Sequence, residues 1–315
     1  MFDTIRTKNY KHWFYLTPAL FILMIFTFFP LVKTVVISIS DYNKFSDSFD
    51  VKTLFNLDNY KNIFKDVEFT TALYNTLILV CFTVPISLFI SLLIALSLNN
   101  VSKLFFKNLF KTFFFFPLLS NTVIMGMVFS VVFYYNFNID NQPQGLFNRF
   151  LIFLNLPPRN WVSATAPYYN KIFALIVYNV WSRLSFKIFV FFIALQNINK
   201  SYYDAAKIDG ASRLSIFMKI TLPLMMPIIF YQFIIEMMEM FKEYESIIGV
   251  FGNNNDYKIR NIVAYIYAQS SDSSYNSYSK GATAAIILFF ISVLFTVISF
   301  YISKKTNSLR YHINE

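Results

Sequence analysis

One cysteine, two histidines, six glycines and little charge set the first limits on this 315-residue chain. Cys81 lies inside an apolar run and has no second cysteine to join, which excludes an intrachain disulfide and any cysteine-based metal site. His12 and His312 stand near opposite ends, so neither a zinc cluster nor a Ser/His/Asp arrangement can be assembled. No metal ligands and no catalytic residues are expected. The dispersed glycines match neither G-x-x-x-x-G-K-S/T nor G-x-G-x-x-G, the loops that cradle phosphates. If nucleotide energy drives this protein, a partner binds the nucleotide. Charged residues make up 14% of the chain, against about 25% in soluble domains.

What is abundant is apolar: 56% hydrophobic residues, 20% aromatic residues and a mean hydropathy of +0.49 describe an integral membrane protein. The net charge of +10 does not point to nucleic acid, because Lys and Arg sit between apolar runs rather than in blocks. A helix needs roughly 20 apolar residues to cross a bilayer. Six stretches qualify: Trp13 to Ile39, Thr71 to Leu98, Thr112 to Tyr135, Ile172 to Leu195, Pro223 to Ile248 and Gly281 to Ser303. The first lacks a small-x-small cleavage site and is read as a retained anchor. The expected class is therefore all-α, with a cytoplasmic segment 1–12, a six-helix transmembrane domain 13–303 and a cytoplasmic tail 304–315. Orientation follows from loop charge. Arg6, Lys8 and Lys11, Lys103, Lys107 and Lys111, Lys200, Lys207, Arg213 and Lys219, and Lys304, Lys305 and Arg310 crowd the short connections on one side. The longer loops opposite carry fewer, with Gln142-Pro143 and Pro157-Pro158 as turn punctuation. Both termini and the polar segment near Asp204 are thus placed in the cytoplasm.

That polar segment, Tyr203-Asp204-Ala205-Ala206-Lys207-Ile208-Asp209-Gly210-Ala211, lies between two apolar runs and must sit in water. Ser201 and Asp204 fit a capping box at the start of a short helix. Ala205 and Ala206 give that helix a face with little bulk, and Gly210 lets it stop and turn. Ser212 can cap a second helix that leads into Pro223. The product is a compact knob suited to a partner's groove.

Here the sequence resembles the membrane-spanning permease subunits of ABC importers, whose cytoplasmic EAA loop reads approximately E-A-A-x-x-D-G-A and closes on Leu-Pro. In this chain the loop, 196–222, reads Asp204-Ala205-Ala206-Lys207-Ile208-Asp209-Gly210-Ala211 and closes on Leu222-Pro223, with Asp in place of the family's Glu. Asn59-Tyr60, Asn75-Thr76, Leu195-Gln196-Asn197-Ile198, Phe241-Lys242-Glu243-Tyr244 and Gly281-Ala282 resemble the binding-protein-dependent sugar branch, the maltose and glycerol-phosphate type. That branch often has Thr-x-Gly-Gly-Pro after the fifth span, where this chain has Gly249-Val250-Phe251-Gly252-Asn253-Asn254, so a different outer gate is expected over 249–258. The resemblance implies a type I importer permease fold in a bacterial cytoplasmic membrane, surrounded by lipid bilayer. It implies a second homologous permease, two ABC ATPase subunits holding ATP and Mg, an extracytoplasmic solute-binding protein and a sugar or oligosaccharide. Asp204, Ala205, Ala206, Asp209, Gly210 and Ala211 would dock the ATPase, and the chain itself would be no enzyme and bind no cofactor. Asp209-Gly210-Ala211-Ser212-Arg213 also approaches the D-G-x-x-A-R start of membrane phosphatidyltransferases, but the Arg spacing is one short and the downstream Asp pair is absent.

Charges inside the spans raise a second question, because ionisable groups in hydrocarbon face protein or a water-filled path. At about 1.5 Å per residue, Arg183 and Glu236 lie at similar heights and Lys187 one turn deeper. In one reading Arg183 and Lys187 pair with Glu236 and Glu239 and only fix helix register. In the other they line the solute path. The resemblance places solute contacts at positions matching Asn179, Arg183, Phe186, Phe241 and Lys242. With Lys187 added, basic groups there would suit a carboxylated or sulfated sugar. An ion-coupled secondary transporter using the same charge cluster is the competing class.

Overall fold

The computed structural model describes residues 11–40, 42–43, 48–49, 57–101, 103–136, 144–252, 256–272 and 277–311. Most of the expected cytoplasmic N-terminal segment, the last four residues of the tail, the Gln142-Pro143 turn and residues 253–255 of the expected outer gate lie outside the described residues. Among the described residues the chain is helical, apart from a two-residue ladder pairing Tyr42 with Phe49 and Asn43 with Ser48. Five helical stretches are long and apolar enough to cross a membrane: Tyr15–Ser38, Val67–Asn100, Tyr168–Gln196, Arg213–Phe241 and Ser277–Ser303. They are the first, second, fourth, fifth and sixth spans.

The third span differs from the expected continuous helix over 112–135. It is two helices, Asn108–Leu119 and Thr122–Val132, bent by 108°. Pro117 lies near the end of the first half, Ser120 is extended, and the Asn121 side chain accepts the backbone N–H groups of Val123 and Ile124 at 2.9 and 3.2 Å. The second half thus starts with its own cap. The fifth span also stops early, at Phe241 rather than Ile248, and a separate helix Glu245–Phe251 follows. Glu243 causes the break, its carboxylate accepting the Ser246 N–H at 2.8 Å.

The chain divides into two compact units. The first, Met1–Asp66 with Ile266–Ile287, joins the end of the first span to the start of the sixth. Asn59 Nδ2 donates to the Ser38 and Ser40 carbonyls at 3.3 and 3.2 Å, and the Tyr60 hydroxyl meets Ser38 Oγ at 2.8 Å. From the sixth span, Ser279 and Thr283 hydroxyls donate to the Ser40 and Ser38 carbonyls at 2.9 and 3.2 Å, while Ile37 packs on Ala282. Carbonyls freed at a helix end are costly where water is scarce, and these side chains satisfy them.

The second unit, Val67–Tyr265 with Leu288–Glu315, is built on the second span lying against the fourth. Ser87, Ser91 and Ala95 form a buried small-residue stripe on the second span, which lets the backbones approach. Leu79, Val84, Leu175, Tyr178, Ile188 and Phe191 fill the rest of the shared core. Asn75 Nδ2 donates to the Lys258 and Arg260 carbonyls at 2.8 Å each, its Oδ1 accepts from the Tyr168 hydroxyl at 2.7 Å, and Thr76 Oγ1 accepts the Ile262 N–H at 2.9 Å. The fourth span holds both halves of the third: the Ser185 hydroxyl donates to the Phe114 carbonyl at 2.6 Å and the Tyr178 hydroxyl to that of Thr122. Against the second of these halves lies Glu245–Phe251, crossing at Gly126 and Gly249, where a Cβ on Gly126 would stand 2.6 Å from the Gly249 Cα. Only glycine permits that approach.

Candidate functional site

Two places gather the polar residues singled out from the sequence. The first is the loop between the fourth and fifth spans. Its helix, Lys200–Ile208, is capped not by Ser201 but by Asn199, whose side chain accepts the Ser201 N–H at 3.0 Å. Asn caps as well as Ser, and with the helix starting two residues earlier Ser201 falls inside the first turn. No capping box therefore forms; Asp204 instead lies 3.3 Å from Lys207 Nζ, with both side chains about two-thirds exposed. A solvated pair of this kind is worth at most about 0.5 kcal/mol. The stop is as expected. Gly210 has φ +71°, and the Ala211 and Gly210 N–H groups donate to the Ala206 and Lys207 carbonyls at 2.9 and 3.1 Å, the double bond pattern of a Schellman turn.

Ser212 caps the next helix by accepting the Ser215 N–H at 3.3 Å. That helix, Arg213–Ile216, runs through a π turn at Phe217–Thr221 into Leu222–Phe241, so the knob is continuous with the fifth span. The two arms are tied by the Tyr203 hydroxyl and Thr221 Oγ1 at 3.2 Å. Asp204, Ala205, Asp209 and Gly210 are exposed; Ala206 and Ala211 are half-buried. Tyr202, Ile208, Leu214 and Met218 are exposed as well, giving this polar loop an apolar surface. Sequence reasoning gave no docking role to those four or to Tyr203, although their type on a water-facing loop is a signal.

The second place is a charge ladder between the fourth and fifth spans. Asn179, Arg183 and Lys187 recur every four residues and so share one face of the fourth span. Lys187 Nζ lies 2.7 Å from Glu236 Oε2, with the two side chains 1% and 4% exposed. Arg183 reaches Glu239 at 3.4 Å and pairs directly with Glu243. Asn179 Nδ2 donates to Ser246 Oγ at 3.2 Å. Glu243 is the node, since its backbone carbonyl also accepts from Asn261. The ladder is one turn out of the expected register, which had set Arg183 level with Glu236. Glu239 is not buried either: its side chain is 61% exposed.

Of the six residues assigned to a solute path, Asn179, Arg183 and Lys187 are thus brought together. Phe241 is buried against Phe295, and Phe186 and Lys242 are exposed, away from the ladder's pairings. The interior is incompletely satisfied. Asn179 Oδ1, Lys187 Nζ, Glu236 Oε1, Gln232 Nε2 and Thr83 Oγ1 are buried with no hydrogen-bond partner among the described residues, so the Lys187–Glu236 contact is ionic without a well-directed hydrogen bond. Glu243, Ser246, Gln232 and Thr83 were not singled out from the sequence as partners, although Glu243 stands four residues after Glu239.

A third pair was also missed. Lys171 Nζ, with its side chain 2% exposed, donates to Asp256 at 2.7 Å and to the Ala164 carbonyl at 2.9 Å. Partial burial alone would raise the Asp256 carboxyl, but the hydrogen bond from Lys171 and the Lys258 backbone N–H outweigh it and hold the group below the usual carboxylate value.

The family model described as binding-protein-dependent transport system inner membrane component matches residues 64–308. The arabinooligosaccharides transport system permease protein AraP of Bacillus subtilis is 28% identical over 303 residues, covering 96% of this chain and 91% of its own length. The lactose transport system permease protein LacF of Rhizobium radiobacter is 28% identical over 310 residues, covering 95% and 96%. Among solved structures, a bacterial ABC transporter involved in import of the acidic polysaccharide alginate matches with a TM-score of 0.75 at 20% identity, over 94% of this chain and 96% of the other.

Proposed function

The chain belongs to the family of binding-protein-dependent transport system inner membrane components, and from that membership we propose that it is one permease subunit of an ATP-driven oligosaccharide importer. It is a multi-pass protein of a bacterial cytoplasmic membrane. A second, homologous permease completes the passage, two ABC ATPase subunits hold ATP and Mg, and an extracytoplasmic binding protein delivers the solute. The loop carrying Asp204 to Ala211 faces the cytoplasm in this reading and docks an ATPase. The observation that carries it is the knob itself. A capped, Schellman-terminated helix with exposed Ile208 and Leu214 projects from a chain that has no phosphate loop of its own.

Oligosaccharide is the solute class supported by the permease relatives named for arabinooligosaccharides and lactose. An acidic oligosaccharide is a second reading, and Arg183 favours it. Its side chain is 14% exposed, and one of its two carboxylate partners, Glu239, is solvated enough to yield to a solute carboxylate.

The test is co-purification with an ATPase followed by uptake into vesicles with neutral and uronate oligosaccharides. ATP-dependent uptake that requires the binding protein is the expected result. Transport that survives ATP depletion with an ion gradient intact would refute the importer. Uronate preference that persists in Arg183→Ala would remove the acidic reading alone.

A further inference from the structure

The connection between the third and fourth spans holds an open cavity of about 390 Å³ that neither the knob nor the ladder uses. Phe147, Leu151, Leu156, Trp161 and Phe173 form its walls and Arg159 stands on its lip. The volume falls within the roughly 300–1,000 Å³ of small-molecule sites. The cavity is built rather than incidental. Asn148, fully buried, donates to the Tyr134 and Arg159 carbonyls and accepts from the Arg159 N–H and Trp161 Nε1, all at 3.0 Å, so the strand of chain bearing Arg159 and Trp161 is fixed against the helix Leu146–Phe153.

We propose that this pocket seats an anionic phospholipid, with an acyl chain between the aromatic walls and the phosphate on Arg159.

Three observations name the occupant. First, Leu146, Phe150 and Phe153 recur at i, i+4 and i+7 and all point away from the protein, so the helix presents a bare apolar stripe, the signature of a helix lying in the membrane interface. Second, the pocket sits where the fourth span begins, so acyl chains and headgroups are its neighbours. Third, the charge is one-sided. No Asp or Glu occurs between residues 141 and 203, and among the described residues the exposed Arg149 and Arg159 form no ion pair. The uncompensated Arg159 guanidinium on the lip of an apolar slot matches a phosphate with a hydrocarbon tail. A soluble sugar would need several directed polar groups, whereas the Asn170 amide, the other polar lining group, already donates to the Asn160 carbonyl at 2.8 Å.

The inference needs only that the chain lies in a bilayer, so it stands or falls separately from the solute and the ATPase. The experiment is native mass spectrometry of the delipidated full-length chain titrated with phosphatidylglycerol or phosphatidylcholine. Wild type is expected to hold one phosphatidylglycerol about tenfold more tightly than phosphatidylcholine. Arg159→Gln, which leaves the backbone bonds to Asn148 in place, brings the ratio close to one. Leu151→Trp fills the slot and removes both lipids. Millimolar inorganic phosphate leaves the lipid bound. Equal affinity for the two lipids in wild type, an unchanged preference in Arg159→Gln, or displacement by phosphate or by a soluble oligosaccharide would each overturn it.

Discussion

Replacing Glu236 with Gln should be among the most damaging single changes in this protein. At 2.7 Å and an effective dielectric of roughly 20, the attraction between Lys187 and Glu236 is about 6 kcal/mol. Desolvating two ions offsets most of it, so the intact pair adds little net stability. Removing one partner is different, because the Lys187 ammonium stays buried without its counter-charge and Arg183 lies one turn away on the same face. Breaking such a pair costs about 3–5 kcal/mol. The paired change Lys187→Met with Glu236→Met removes both charges at similar volume and should fall within about 1 kcal/mol of wild type. The measurement is reversible unfolding in mixed micelles, run as a double-mutant cycle. The reasoning is refuted if Glu236→Gln loses less than about 1 kcal/mol, or if the two Met changes add without coupling.

Other consequences follow from single contacts. Gly249→Ala places a Cβ 2.8 Å from the Val123 carbonyl oxygen and should cost about 1–3 kcal/mol or more, read as a lowered melting midpoint. Asn75→Ala strips a donor from two carbonyls and an acceptor from the Tyr168 hydroxyl; a loss of about 1–3 kcal/mol, with faster amide exchange over 258–262, is expected. Gly210→Ala has room for its methyl but must hold φ +71°, costing about 1–2 kcal/mol, whereas Gly210→Asn should retain most of the affinity for the ATPase in a pull-down. The Asp256 carboxyl is lower folded than unfolded, so its contribution is present above the ordinary carboxylate pKa and is lost as pH falls through the folded value. Asp256→Asn should therefore flatten the acid limb of stability between about pH 4 and lower, measured by melting against pH.

The spans were legible because crossing hydrocarbon demands a long apolar run, and five of the six runs hold a helix long and apolar enough to cross. The breaks were not. Asn121 and Glu243 interrupt apolar windows without lowering them much, and what ends the helix is a side chain accepting backbone N–H groups two or three residues ahead. Composition does not register that geometry. The knob was legible in its stop, since Gly210 is the residue a left-handed turn wants, but not in its start, where Asn199 and Ser201 are equally good caps. For the ladder, the residue types were legible and the register was not. The heights were counted from Pro223, but the fifth span's helix runs on from Arg213 through the π turn at Phe217–Thr221, so equal counts from the two inner ends are not equal heights.

The same π turn bears on how the two polar places are joined. From Arg213 to Phe241 the fifth span is helical for 29 residues, about 43 Å, with the knob at one end and the ladder's carboxylates at the other. Near the knob, Tyr203 ties the loop to Thr221 at the end of the π turn, and toward the far end Glu236, Glu239 and Glu243 hold Arg183 and Lys187. Displacing the knob therefore loads a single rod whose far end is fixed by ionic contacts rather than by apolar packing alone. Apolar packing tolerates sliding by fractions of a residue; a carboxylate 2.7 Å from a buried ammonium does not. On the proposed reading, the ladder makes the movement of the fifth span all-or-none. Glu243 delivers it further, because the residue that grips Arg183 also caps Glu245–Phe251, the helix whose Gly249 crosses Gly126 in the broken third span.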